Sequence, residues 1–189
     1  MRKVVLGAML FLLAGCGRKA ESAPEAAAGD AMPSQVVALS SAEVKTDVVP
    51  GGVARLSNGE YMAPTAPGSA DSIIVRLLDK WAVGDVNGDG KPETAVIFGA
   101  SSGGTGIFID LAIFADEDGT PRQLMSTRLG DRVRVIAVHI TNGLITVELD
   151  QHSQVDPMCC PAERAIREFR VEGDSLTMVS ATPPPFVAP

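Results

Sequence analysis

In the stretch GDVNGDGKPE, Asp85, Asn87 and Asp89 occupy alternate positions, Lys91 and Glu93 continue the spacing, and glycines fall at 88 and 90. Calcium takes several oxygen ligands in flexible geometry. An acidic loop supplies them as side-chain oxygens at its first, third, fifth and often ninth positions and as a backbone carbonyl at its seventh. Counted from Asp85, that set is Asp85, Asn87, Asp89 and Glu93 with the Lys91 carbonyl, the lysine ammonium being free to point into solvent. Glycine permits the sharp turning that gathers such oxygens. The twelfth position, where a bidentate carboxylate closes many calcium loops, holds Val96, and Pro92 leads into the strand-like TAVIF. A following helix of the EF-hand type is therefore disfavoured. The competing reading is an ion-free turn held by Asx hydrogen bonds.

A second chemistry lies in DPMCCPAE. Cys159 and Cys160 are neighbours, and consecutive Cα atoms across a trans peptide stand about 3.8 Å apart, below the usual disulfide range of about 4.4–6.8 Å. A bridge between them is strained, and strain makes a disulfide easier to reduce. A structural vicinal disulfide is the leading expectation and a redox switch the alternative. With His152 and Met158 the free thiols form a soft, copper-like donor set, a weaker reading because one histidine and clustered sulfurs specify little. A third chemistry exists on paper. GASSG, from Gly99 to Gly103, fits G-x-S-x-G with Ser101 as nucleophile, and His139 or His152 with Asp150 complete a triad. A nucleophile elbow needs strand, turn and helix, whereas GTGIFIDLAIF reads as a strand. No enzyme activity is expected, and a serine hydrolase is the distant alternative.

The start of the chain gives an address. Arg2 and Lys3 precede the apolar run VVLGAMLFLLAG, which ends at Cys16. The run is too short to span a bilayer and has the layout of a signal peptide. LAGC resembles the bacterial lipobox, which implies a signal peptide over 1–15 and a lipid on Cys16 that tethers the chain to a membrane. Several acyl chains anchor stably where one does not. Residues 16–35 are small, polar and punctuated by proline, as in a flexible tether. The net charge of −7 becomes −9 once Arg2 and Lys3 leave with the signal, which argues against nucleic-acid partners and suits cations. With cysteines in an oxidising compartment, the expected location is the cell envelope. Gly17 after the lipidated cysteine fits the outer membrane, facing the periplasm, in a Gram-negative host.

Between tether and tail, residues 36–179 must position these groups, and their pattern is that of strands. TAVIF, IFIDLAIF, RVRVIAVHI and LITVEL are short, rich in β-branched residues and bounded by turn residues. Asn58-Gly59, Asp118-Gly119 and Asn142-Gly143 are hairpin signals because both members of each pair tolerate positive φ. AERAIREF fits a helical face through Ala162, Ile166 and Phe169, yet Glu172-Gly173-Asp174 turns it back into SLTMV, which favours a strand. Short links between successive strands predict an all-β, mainly antiparallel meander, a β-sandwich or partly closed barrel in a single domain. Residues 180–189 read as a proline-rich tail.

The acidic loop running directly into a strand resembles the FG-GAP and VCBS-type calcium loops, DxNxDGxxD, here in a single copy that does not support a multi-bladed propeller. The blocks GDVNGDGKPETAV, LGDRV, the NG hairpin and DPMCCP are together similar to a group of bacterial exported lipoproteins of unassigned activity. That resemblance implies kinship of fold and an envelope location, and no reaction. The function expected is that of a lipid-anchored binding or structural module with a calcium-stabilised loop and an envelope protein as partner. The runner-up is a redox- or metal-responsive protein working through Cys159 and Cys160.

Overall fold

The computed structural model describes residues 33–185. A short helix, α1 (Ser34–Ala38), continues through one 3-10 turn (Leu39–Ser41) into a hairpin of β1 (Glu43–Lys45) and β2 (Val53–Arg55). Nine further strands follow: β3 (Glu60–Pro64), β4 (Ser72–Gly84), β5 (Glu93–Ser101), β6 (Phe108–Glu117), β7 (Thr120–Asp131), β8 (Arg134–Thr141), β9 (Leu144–Gln151), β10 (Glu163–Glu172) and β11 (Ser175–Thr182). The order is β3-β4-β5-β6-β7 in one sheet and β8-β9-β10-β11 in another, with β1-β2 as a third. Every pairing is antiparallel and joins strands that follow one another in the chain. The fold is thus an all-β meander arranged as a sandwich, with none of its sheets closed.

The turn chemistry explains the register. Asn142 and Gly143 adopt φ 51° and 73°, the pair of positive values that a two-residue hairpin of matching twist requires. Asp118-Gly119 and Asn58-Gly59 do the same. The strand reading of AERAIREF holds. In β10, Ala165, Arg167 and Phe169 point inward at period two and Ile166 faces solvent, an alternation that a helix cannot produce.

Apolar burial falls into two layers. Ile97, Leu111 and Ile113 of the larger sheet meet Ile145, Val147, Leu149 and Phe169 of the smaller one. The other face of the larger sheet carries Val75, Val96, Phe98 and Phe114, covered by Leu39, Val44 and Ala54 from the N-terminal helix and hairpin. That second cover explains why β5 is buried at eight successive positions, Glu93 to Ala100. A strand covered on both faces reads as a continuous apolar run.

Two boundaries differ from those expected. The expected tether extends through residue 35, but α1 begins at Ser34, where the Val36 N–H bonds to the Pro33 carbonyl and the Val36 side chain is buried. The expected tail begins at 180, but β11 runs to Thr182, which pairs with Ile166. Proline, which has no N–H to give a ladder, begins only at Pro183. Among the described residues, no helix is long and apolar enough to cross a membrane. Residues 1–15 and the lipidation residue Cys16 lie outside the described residues.

Candidate functional site

The acidic loop links β4 to β5 and closes on itself. Both oxygens of Asp85 accept backbone hydrogens, Oδ1 from Gly88 (2.6 Å) and Oδ2 from Gly90 (2.9 Å). Asn87 Oδ1 accepts from the Asp89 N–H, and Asp89 Oδ1 from the Lys91 N–H, each at 2.8 Å. Glu93 is 2 % exposed, and its Oε2 accepts the Val86 N–H at 3.0 Å. Asn87 Nδ2 donates to Asp89 Oδ2 at 3.3 Å and to Glu93 Oε1 at 3.2 Å. The Asn87 amide therefore stands between two carboxylates. Lys91 is exposed.

The charges in this turn feel one another. Burial pushes the Glu93 carboxyl above its ordinary value, and the neighbouring Asp89 and Asp85 add to the rise. The Gly88 and Gly90 N–H groups hold Asp85 below its ordinary value. None of the three carboxylates forms an ion pair with a basic side chain among the described residues. In this arrangement no group of three His, Cys, Asp or Glu side chains converges on a point where a metal ion could sit, again among the described residues. An ion held by Asp89 Oδ2 and Glu93 Oε1 must displace the Asn87 Nδ2 hydrogens that bridge them.

The loop also touches the second sheet. Val86 is buried in the core between the sheets. A Cβ built on Gly84 would meet Ile140 Cγ2 at 2.7 Å, and one on Gly143 would lie 3.7 Å from the Val86 carbonyl oxygen. The β8–β9 turn thus rests directly on the acidic loop; Gly84 leaves room for the Ile140 side chain, while Gly143 is set by its positive φ.

Cys159 and Cys160 sit in the exposed β9–β10 connection, and the structure joins their sulfurs across a Cα separation of 3.8 Å. Asp156 Oδ2 ties this connection together by accepting the Ser153 N–H (3.0 Å) and the Ala162 N–H (3.1 Å), and those bonds hold its carboxyl below the ordinary value. Met158, next to the cysteines, is exposed and lines a groove of about 290 Å³ together with His152. Both ring nitrogens of His152 are shielded and, among the described residues, have no hydrogen-bond partner.

The paper triad is not assembled. Ser101 ends β5 and is followed by a loop and then β6, with no helix after Ser102. Asp150 is engaged by Arg134 and Arg164, the latter at 2.6 Å, and His139 is exposed on β8.

The residues that sequence reasoning missed are Gln151 and Arg167, buried at 2 % and 4 % exposure beside the same groove. Arg167 donates from Nη1 to the Leu129 carbonyl and from Nη2 to Gln151 Oε1 (2.8 Å). Period two through Ala165, Phe169 and Val171 was the available signal, because it sets Arg167 on the inward face of β10. No protein-family model, curated protein or solved structure matches the chain.

Proposed function

We propose that this chain is a lipid-anchored protein of the bacterial cell envelope, tethered through Cys16, which acts as a non-catalytic binding or structural module and whose acidic loop is stabilised by calcium. The observation that carries the calcium reading is the placement of Asp85, Asp89 and the buried Glu93 in one short turn, without a basic partner among the described residues. Like charges gathered in this way favour a counter-ion. Asp85, Asn87, Asp89 and Glu93, with the Lys91 carbonyl, are the oxygens that would hold it. The loop lies against the β8–β9 turn, so a stiffened loop strengthens the seam between the two sheets.

The test is the melting of the full chain in millimolar calcium against sodium of equal ionic strength. Calcium is expected to raise the melting temperature more than sodium. Equal shifts leave an Asx-closed turn without an ion and remove the calcium part of the reading.

A second reading is favoured by the exposure of the joined Cys159 and Cys160. In it the chain is a redox- or metal-responsive envelope protein, and the pair is open to thiol exchange with a dithiol. Thiol titration with and without reductant separates the two readings.

A further inference from the structure

Arg167 is a buried cation whose hydrogen-bond partners are all neutral. Among the described residues its acceptors are a backbone carbonyl and an amide oxygen, and its shielded Nε has none. Taking a charge out of water is costly unless it is paired and hydrogen-bonded. The nearby acids are already engaged. Asp131 binds Arg132 (2.5 Å) and the Ile107 N–H (2.8 Å). Glu163 reaches Arg167 only through Gln151, whose Nε2 donates to Glu163 Oε2 at 2.8 Å. The same relay fixes the Gln151 amide, with its oxygen turned to Arg167 and its nitrogen to Glu163 and the Pro184 carbonyl.

The groove beside Arg167 has a volume of about 290 Å³, at the lower edge of the ~300–1,000 Å³ typical of small-molecule sites. Leu129, Val133 and Met158 are among its apolar walls, and its polar side chains are Gln151, His152, Arg167 and Asp131, the last a carboxylate already paired with Arg132. Apolar walls with a few convergent polar groups are the usual composition of a ligand site. The guanidinium is held below its ordinary basicity by burial alone, as expected of a cation lacking an anion.

We propose that this groove binds a small monocarboxylate, whose carboxylate supplies the anion missing from Arg167, and whose short apolar body packs on Leu129, Val133 and Met158. Arginine suits the task, because its planar fork matches carboxylate geometry. The proposal rests on the reading of the chain as a binding module. It does not involve the acidic loop, so the calcium melting experiment and this one fail independently.

The test is titration of the full chain, in detergent micelles, with sodium butyrate and with butyramide, its uncharged counterpart. Binding is read from the Met158 and Val133 methyl resonances and the Gln151 side-chain amide. Butyrate is expected to give saturable shifts at these positions, and butyramide at least tenfold weaker ones. Arg167→Met and Met158→Trp, the second plugging the groove from an exposed loop, are each expected to weaken butyrate binding at least tenfold. If Arg167→Met does not fold, Met158→Trp and the butyramide comparison decide. Non-saturating shifts, equal binding of butyramide, shifts confined to other residues, or wild-type affinity in Met158→Trp overturn the proposal.

Discussion

The Glu93 carboxylate accepts the Val86 N–H across 3.0 Å, so that one buried bond closes the β4–β5 loop at the point where Val86 enters the core between the sheets. Glu93→Gln keeps the shape and removes the charge. Its carbonyl still accepts the Val86 N–H and the repulsion from Asp85 and Asp89 is relieved, while its amide nitrogen replaces the Oε1 that accepts the Asn87 Nδ2 hydrogen. In calcium-free buffer the gain and the loss offset and the melting temperature is expected to change little, whereas Glu93→Ala orphans a buried N–H and costs about 1–3 kcal/mol. Denaturant melts of the two variants check this pair, and equal losses would show that the charge itself holds the loop.

Asp89 separates the ion from the turn. Asp89→Ala removes one carboxylate and the bond to the Lys91 N–H. The calcium-dependent part of the melting shift should disappear while the sodium response stays. Affinity is expected near 10⁻⁴–10⁻³ M, as in extracellular modules, because the twelfth position is Val96. Free calcium a hundredfold above the dissociation constant stabilises by about 2.7 kcal/mol. Persistence of the calcium difference in Asp89→Ala contradicts this ligand set.

The contrast between loop and groove shows what was legible beforehand. Asp85 to Glu93 announced itself because carboxylates and glycines alternate, and the Asn-Gly and Asp-Gly pairs announced the hairpins through their positive φ. Strand type was legible in β-branched runs. The double cover of β5 was not, since TAVIF has the same composition whether one face or two are buried, and only the docking of α1 and the β1–β2 hairpin decides. Arg167 was hidden for the opposite reason. A charged residue reads as solvent-facing, and its inward place follows only from the neighbours at period two. The lipid proposed on Cys16 rests on the LAGC residues alone.

For that anchor the expected outcome is simple. Cys16→Ser removes the thiol that accepts lipid, so the chain should lose metabolic lipid labelling or stay unprocessed. Its β domain should keep the wild-type circular-dichroism spectrum and melt. Retained labelling contradicts lipidation at Cys16.

The adjacent cysteines make a mass prediction. Alkylation of unreduced protein should leave Cys159 and Cys160 unmodified on one peptide, lighter by the mass of two hydrogens than its dithiol form. After treatment with a dithiol both should alkylate. Alkylation of both without reductant shows free thiols and favours the metal-responsive reading.

Asp150 gives the acid limb of stability. The hydrogen bond from Arg164, followed by that from Arg134, outweighs its burial and holds the carboxyl below its ordinary value. A carboxyl whose folded pKa is depressed binds fewer protons folded than unfolded. Its contribution is fully present above the unfolded value of about 3.9 and is lost as pH falls through the folded value. Both arginines are more than half exposed at their side chains, and screening keeps the expected cost of Asp150→Asn near 1 kcal/mol at neutral pH. Asp47 and Asp156 are depressed as well, so acid destabilisation of the wild type alone is shared among several groups. The difference between wild type and Asp150→Asn isolates the one. It should be flat from pH 7 down to about 5 and shrink toward zero below about 4, as read from urea midpoints at matched ionic strength. A difference that grows in acid would mean that Asp150 is not ion-paired in the folded chain.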